Sequence, residues 1–376
     1  MRTVKNGALL ILYTILLGGI VGAIIWAFLR LMNIGINFVW DYIPGRFNIP
    51  FYTIIVCVFG ALLIGLWRKK FGDYPEELRV VLGIVKKTGG YKYNNIFIIL
   101  ISALLPLLFG ASVGPEAGIA GVIAGLCTWI SDKIKKYIHK VDELNMIGIS
   151  ATLGTIFKSP MFGFVEPLED EKKLTIPKNV KVVLYLLAAI ASFGSYILLG
   201  RVLGKGPGVY SLEFEKIKLI DLAYIIPLVL IGIVGGFLYV ASHKLASIIS
   251  NKYKKYTVIK AVIGGIILGV LGTVLPLTMF SGEHQIADVA KNGSEIGIAM
   301  LIVVAMVKIV LTTICVEAGL KGGHFFPIIF AGICLGYAFG MIFGISVVFA
   351  MAVVTTALVG YTLKKPIATV LLLMIV

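Results

Sequence analysis

Long apolar stretches recur along this chain of 376 residues, and they constrain its fold more than any other feature. They lie at about residues 7–38, 51–67, 94–109, 116–131, 144–168, 178–200, 219–249, 259–279, 296–316, 325–344, 346–361 and 366–376. Because a helix needs about 20 apolar residues to cross a bilayer, the pattern predicts an all-α, polytopic membrane protein. The apolar runs lack the period of two that a transmembrane β-barrel requires.

The charged residues support a membrane location. Only 14% of the residues are charged, whereas about 25% are charged in soluble domains. The formal net charge of +15 comes from clusters between apolar runs, which is typical of cytoplasmic loops and not of nucleic-acid binding. Arg2 and Lys5 precede the first run, so we expect a cytoplasmic N-terminus and an external loop around 39–50.

The sequence offers little sign of a metal site, a cofactor or an enzyme. Four cysteines lie inside apolar runs without metal-ligand or CxxC spacing: Cys57, Cys127, Cys315 and Cys334. Residues 110–114 match the GxSxG motif, but that motif is meaningful only between a strand and a helix. An intramembrane serine protease using His243, His284 or His324 as the base is therefore a distant alternative.

Three glycine-rich breaks interrupt the apolar pattern, at residues 72–77, 110–118 and 319–327. A helix that stops inside the membrane leaves backbone N–H and C=O groups unpaired, which is tolerated where they line a cavity or bind a ligand. Interrupted spans are the best pointer to a transporter's substrate site. The first break follows a basic cluster and is predicted to open an amphipathic helix, with Pro75 in its first turn.

The second break carries Glu116 inside an otherwise uncharged region. Burying a carboxylate there costs several kcal/mol unless it is paired or protonated, so it is a functional candidate. The N-terminus of a helix favours negative charge, and we expect the carboxylate and a small anion to compete for this place. In the third break, Gly322 and Gly323 precede Pro327, and the amides of His324 and Phe325 are predicted to face the helix mouth.

Two other polar features of the sequence favour a structural role over a binding site. Residues 281–285, Ser-Gly-Glu-His-Gln, are more typical of a loop between spans than of a site. Lys308 lies in the middle of an apolar run and must pair or reach a polar group. Glu317 is not at i+3 or i+4 from it, so the two can pair only if their helix breaks.

Together, these segments resemble the CLC family of chloride channels and chloride/proton antiporters over nearly the whole chain. The second break resembles the family's GSxGxEGP motif, with Ser112, Gly114 and Glu116 matching, Ala111 in place of the opening Gly, and Ala117-Gly118 in place of the closing Gly-Pro. The third resembles the stretch around GGxFxP: Lys308, Thr312, Thr313, Cys315, Gly319, Gly322, Gly323, Phe325, Pro327, Gly332, Gly336, Phe339, Gly340 and Met341. Ser159-Pro160, Gly163 and Glu169-Asp170 resemble the APxxG...EE segment, and Lys364-Lys365-Pro366 resembles the RxP turn.

The resemblance also marks departures. The family's first loop reads GSGIP, and its serine helps to hold the central anion. Gly72 stands at that position beside Asp73, so the hydroxyl is missing. The family's pore tyrosine would lie beyond Val376. The internal proton glutamate of the antiporters matches Asp170, with Glu169 and Glu166 as neighbours.

The resemblance implies a single transmembrane anion-transport domain over residues 1–376, with inverted-repeat halves of about 1–170 and 171–376. The expected protein is a multi-pass cell-membrane homodimer in lipid that transports chloride or a similar small anion, without a cofactor or enzymatic activity. Glu116 would be the gate and proton carrier, with Asp170 or Glu169 as the inner relay. Residues expected to bind the anion are Gly72, Asp73, Gly114, Pro115, Ala117, Gly118, Gly323, His324, Phe325 and Phe326. The alternatives are a passive chloride channel, a fluoride-selective member and, from another class, a non-transporting membrane protein.

Overall fold

The computed structural model describes residues 2–134, 142–169, 178–204 and 217–373, and its described part is built from helices. Their bounds are α1 Arg2–Asn37, α2 Ile43–Arg46, α3 Tyr52–Phe71, α4 Leu78–Thr88, α5 Ile96–Leu108, α6 Glu116–Ile134, α7 Asp142–Ile156, α8 Pro160–Glu169, α9 Lys178–Leu203, α10 Leu219–Ala223, α11 Ile225–Lys252, α12 Thr257–Val274, α13 Gln285–Ile296, α14 Ile298–Ala318, α15 Phe325–Phe343, α16 Val347–Leu363 and α17 Pro366–Leu373. A π-helical turn spans Phe38–Tyr42 and a 3₁₀ turn spans Pro276–Thr278.

Six described segments are long and apolar enough to cross a membrane: Leu10–Arg46, Asn179–Leu203, Ile225–Lys252, Thr257–Val274, Ile298–Ala318 and Phe325–Phe343. Shorter apolar helices lie at Ile96–Leu108, Asn145–Ile156 and Val347–Leu363. Their outer faces expose large aliphatic and aromatic side chains, as lipid contact requires. The predicted all-α, polytopic fold is confirmed.

Small residues let the long helices approach closely. A Cβ on Gly22 of α1 would overlap the carbonyl oxygen of Ser192 on α9. Gly265 of α12 likewise lies against the carbonyl of Cys57 on α3. Such contacts bring backbones together where the hydrophobic effect between helices is absent, because lipid is as apolar as a side chain. The abundant glycine of the sequence is used here for packing.

Helix α15 lies at the centre of the protein. Of its most apolar 18-residue window, 83% is buried, against 28–50% for the other long spans. It packs between α14 and α16, so its N-terminal turn at Phe325 ends inside the protein. The N-terminus of α6 also ends there, since Glu116 is fully buried. Two helix N-termini therefore meet at the interior, and they define the candidate site below.

The structure corrects two details of the sequence analysis. The apolar run at 144–168 is two helices, because Lys158 turns the chain at φ +50° between α7 and α8. Pro75 lies ahead of α4, which begins only at Leu78. Gly72 at φ +103° ends α3, and the carboxylate of Asp73 is bonded to side chains outside the loop, which keeps the segment irregular.

A buried ion pair joins α8 to the turn that precedes α17. The Nζ of Lys365 donates to Oε1 of Glu166 at 2.7 Å and to the Glu166 carbonyl at 3.2 Å. The two side chains are only 12% and 5% exposed. The pair therefore holds the Lys364-Lys365-Pro366 turn against α8.

Removing one partner of this pair is expected to destabilise the protein strongly. Glu166→Gln removes the carboxylate that accepts from the Lys365 ammonium in a site nearly closed to water, and breaking such a pair costs about 3–5 kcal/mol of unfolding free energy. The measurement is denaturant or thermal unfolding of the purified protein in detergent. The double variant Glu166→Leu/Lys365→Met removes both charges and is expected to lose much less. A loss below about 1 kcal/mol in the single variant, the range of a solvent-exposed pair, would contradict a buried one.

Candidate anion site

The second and third glycine-rich breaks meet in the interior as a short antiparallel pair. The N–H of Gly114 donates to the carbonyl of Gly323 at 2.7 Å, and the N–H of Gly323 donates to the carbonyl of Gly114 at 2.7 Å. The two residues are more than 200 positions apart, one in each predicted half. This backbone pair brings the start of α6 to the start of α15.

The carboxylate of Glu116 occupies the junction of the two helix N-termini. Its Oε1 accepts a hydrogen bond from the N–H of Phe325 at 2.8 Å. The backbone amides of Glu116 itself and of Phe326 also favour the negative charge of the carboxylate. Its Oε2 is buried without a hydrogen-bond partner in the described part of the chain. Both helix N-termini favour negative charge, so the junction attracts an anion of any origin.

The glycines give the carboxylate its space. A Cβ on Gly323 would overlap the carboxyl group of Glu116, and a Cβ on Gly114 would overlap its Oε2. The carboxylate thus lies directly against both backbones, where no larger residue leaves room. This close approach is why the two motifs need glycine at these positions.

Aromatic rings surround the junction. Phe157 packs against Phe326 at 5.0 Å and Phe325 at 5.5 Å between ring centroids. On another side, His324 stacks on Tyr239 at 5.4 Å. Both His324 and Tyr239 are buried, so the imidazole packs there beside the junction. The rings keep the site apolar apart from its backbone donors, which raises the cost of an unpaired charge.

Helix α14 supports the junction through polar contacts that the sequence indicated only in part. The hydroxyls of Ser112 and Thr312 lie 3.1 Å apart and join the second break to α14. The fully buried Lys308 donates from Nζ to the carbonyls of Met279 and Phe280, at 2.7 Å each. Helix α14 is continuous, so Lys308 satisfies itself on backbone and does not pair with Glu317. A lysine in an apolar run signals a partner, but only the fold shows which one.

The first break lies at the C-terminal end of α14. Arg68 donates from Nε to Oδ1 of Asp73 at 2.9 Å, and Lys321 donates to Oδ2 at 2.7 Å. The Arg68 guanidinium also reaches the Ala318 carbonyl at 3.5 Å and covers Gly319 so closely that a Cβ there would overlap it. The Asp73 carboxylate thus faces two cations, and the role of Asp73 and Gly72 in anion binding stays a prediction.

A second cluster of polar side chains, from distant parts of the sequence, lies beside this break. Nε2 of His243 is 3.6 Å from Oε1 of Glu317 and 3.9 Å from Oε1 of Glu77. The His243 ring also contacts Tyr239, at 5.9 Å between centroids. These groups are far apart in sequence, so no motif could have indicated the cluster.

The remaining predicted site residues are placed as follows. Pro115, Ala117 and Gly118 are buried at the start of α6, with Gly118 against Ala103 of α5. Glu169 ends α8, and its side chain lies outside the described residues, as does the whole of Asp170. The structure thus brings Gly114, Glu116, Gly323 and Phe325 into contact, whereas the inner relay stays a prediction.

The family of this chain follows from its match to a known protein family. Residues 59–376 match the model of the family described as Voltage gated chloride channel. The chain belongs to this CLC family. Its members are anion channels and transporters, so the chain is a multi-pass membrane protein of that class, and the resemblance seen in the glycine-rich motifs is confirmed.

Individual CLC relatives are distant in sequence. A protein of Salmonella paratyphi A named "Putative ion-transport protein YfeO" is 22% identical over 336 residues, which cover 87% of this chain and 79% of that protein. Its Escherichia coli counterpart is 21% identical over 311 residues, 80% of this chain and 71% of that one.

Solved structures share the CLC fold. A slow cyanobacterial Cl⁻/H⁺ antiporter gives a TM-score of 0.81 at 19% identity, covering 97% of this chain and 88% of the other. A CLC-type fluoride/proton antiporter gives 0.77 at 19% identity, with 97% and 89% covered. At this identity the likeness concerns the fold alone.

The ion pairs of Asp73 predict a small, pH-dependent contribution to stability. Partial burial raises the pKa of Asp73, but Lys321 and Arg68 lower it by more, so the pKa lies below its usual range. A carboxyl whose pKa is lower in the folded state stabilises it above the unfolded pKa, and this is lost as the pH falls through the folded pKa.

We therefore expect Asp73→Asn to lower the unfolding free energy by about 0.2–1 kcal/mol at neutral pH, as exposed pairs do. The difference from wild type should be smaller at an acidic pH below the usual Asp pKa of about 3.9, and it should disappear once the pH is below the lowered pKa of the folded state, where the wild-type carboxyl is also neutral. Unfolding in detergent at both pH values measures it. A difference that grew on acidification would have the wrong sign.

Proposed function

We propose that this CLC protein exchanges chloride, or a similar small anion, for protons through the Gly114–Gly323 junction. The observation that carries the proposal is the position of Glu116. Its carboxylate is fully buried and takes the Phe325 amide, a donor that a bound anion would otherwise use. We infer that Glu116 is the gate of the pathway.

The gating role of Glu116 follows because its carboxylate and the transported anion compete for the same site. The junction offers backbone donors and two helix N-termini, and the described residues place no cation on the carboxylate. Such a site holds an anion by dipoles and can release it again, as conduction requires. An ionised Glu116 fills the site, whereas a protonated Glu116 loses its electrostatic advantage over a chloride ion. Proton binding therefore favours anion entry.

Proton coupling is supported by the same group. A carboxyl that must be neutral for the anion to enter carries one proton for each opening. Two structural relatives are named as chloride/proton and fluoride/proton antiporters, which supports the same exchange here. Asp170 or Glu169 would pass the proton on the inner side. We propose one such pathway in each subunit of a homodimer formed by the single domain 1–376.

Glu116→Gln is expected to separate the two fluxes. The amide has about the same size but carries no exchangeable charge, so chloride still passes while proton uptake falls about a hundredfold. The measurement is chloride efflux from liposomes that contain the purified protein, with external pH recorded in the same vessel. The exposed carboxylate of Glu295 on α13 provides the control Glu295→Gln, which should behave as wild type.

Each other outcome of this assay selects an alternative. Chloride efflux without proton movement in the wild type would identify a passive channel. Fluoride efflux far faster than chloride efflux would identify a fluoride-selective member. No flux of chloride, fluoride or nitrate from folded protein, with no effect of Glu116→Gln, would contradict transport altogether.

Gly323→Ala tests whether the carboxylate itself blocks the site. The added methyl overlaps the Glu116 carboxyl group, the movable end of a side chain, so we expect the gate to be displaced and chloride efflux at neutral pH to rise. The same change in a Glu116→Ala background should have no further effect, because the blocking group is already gone. An equal effect in both backgrounds would show that the methyl acts on the backbone instead.

A further inference from the structure

The polar segment 281–285 holds a second buried carboxylate. Glu283 is only 4% exposed, although its segment is typical of a surface loop. Its Oε1 is buried and has no hydrogen-bond partner among the residues that the structure describes. A carboxyl group buried in this way is costly as a charge unless a proton or a cation is near.

Contacts of the residues that precede Glu283 in sequence fix its position. Lys308 bonds the carbonyls of Met279 and Phe280, and the N–H of Phe280 donates to the carbonyl of Gly110 at 3.1 Å. Gly282, at φ +96°, lies so close to α15 that a Cβ would overlap Phe330. The backbone around Glu283 is therefore fixed to the second break and to α15.

These contacts place Glu283 beside the anion site. Phe330 is five residues along α15 from Phe325, whose amide holds the gate. Lys158 follows Phe157, whose ring covers the first turn of the same helix. Glu283 interacts electrostatically with Glu116 and with Lys158.

Two further titratable side chains near Glu283, Tyr196 and His284, differ in what they interact with. Tyr196 of α9 interacts with Glu283 electrostatically, whereas the neighbouring His284, which precedes α13, interacts with Asp288 of that helix. The groups that interact with Glu283 are thus the buried Glu116 carboxyl, the partly buried Lys158 and the buried Tyr196. Two carboxyl groups in one low-dielectric region repel each other when both are ionised. A proton on one of them therefore lowers the cost of ionising the other.

We propose that Glu283 is the proton partner of Glu116 in the transport cycle, with Lys158 as its positioning residue. The proton leaves the Glu283 carboxyl and binds the Glu116 carboxylate, which then releases the Phe325 amide to the anion. Lys158 stabilises the Glu283 carboxylate that results. The gate resets when Glu116 passes this proton on to the inner relay proposed at Asp170 or Glu169, and Glu283 takes up another proton from water, so each cycle moves one proton through the site. This inference rests on the proposed proton-coupled function.

The test compares chloride efflux and proton uptake in liposomes for wild type and Glu283→Gln. We expect chloride efflux to persist and proton uptake to fall about a hundredfold or more. Glu283→Asp keeps a titratable group and should retain coupled uptake at a lower rate. Glu295→Gln, an exposed acid on the adjacent helix α13, should match wild type in both fluxes.

The outcomes separate this inference from the proposed function. Coupled wild type with an unchanged proton-to-chloride ratio in Glu283→Gln would overturn the inference and leave the antiporter intact. Wild type that moves chloride without protons would overturn both. Loss of coupling in Glu283→Asp as well as Glu283→Gln would overturn the proton role in favour of side-chain shape.

Glu283→Gln leaves Lys158 with less negative charge around it, and this variant can fail to fold for that reason alone. Glu283→Gln/Lys158→Gln removes both charges and keeps the assay decisive. It should lose proton uptake in the same way, while persistent coupling in it would overturn the proposal.

Discussion

The structure depends on one short backbone pairing. Gly114 and Gly323 exchange two hydrogen bonds at 2.7 Å, and this pair sets the N-terminus of α6 against the N-terminus of α15. The Glu116 carboxylate then takes the free amide of Phe325 and lies against both glycines. Unpaired amides inside a membrane protein must find a partner, and a carboxylate that protonation can neutralise is a reversible one.

The other buried charges follow the same rule in different ways. Lys308 is satisfied by two carbonyls and Lys365 by Glu166, so both serve to position loops around the junction. Glu166, Glu116 and Glu283 each keep one buried carboxylate oxygen without a hydrogen-bond partner in the described part of the chain. They differ in the other partner: Glu166 accepts from the Lys365 ammonium, whereas Glu116 accepts from a neutral backbone amide. A buried carboxylate that bonds a cation is suited to a structural role, whereas one without a bonded cation is suited to proton exchange.

Much of the fold and the centre of the site could be predicted from the sequence, because the responsible signals are local. Apolar runs predict the spans, and Glu116 stands out as a carboxylate in an uncharged region. Glu283 was hidden by its setting among Ser, Gly and His, which is typical of an exposed loop. Its burial depends on contacts of Gly282 and Phe280 with α15 and Gly110, which have no local signature.

By itself, the sequence determined that this chain is a membrane-embedded bundle with breaks in its helices, and that one break carries a carboxylate. Hydrophobicity and helix-breaking residues act over a few turns, so they are visible in the order of residues. Only the tertiary structure decided which breaks meet, that Phe325 holds Glu116, and that Lys308 bonds carbonyls instead of Glu317. These contacts join residues up to 209 positions apart, and they follow from how all the helices pack together rather than from any one segment.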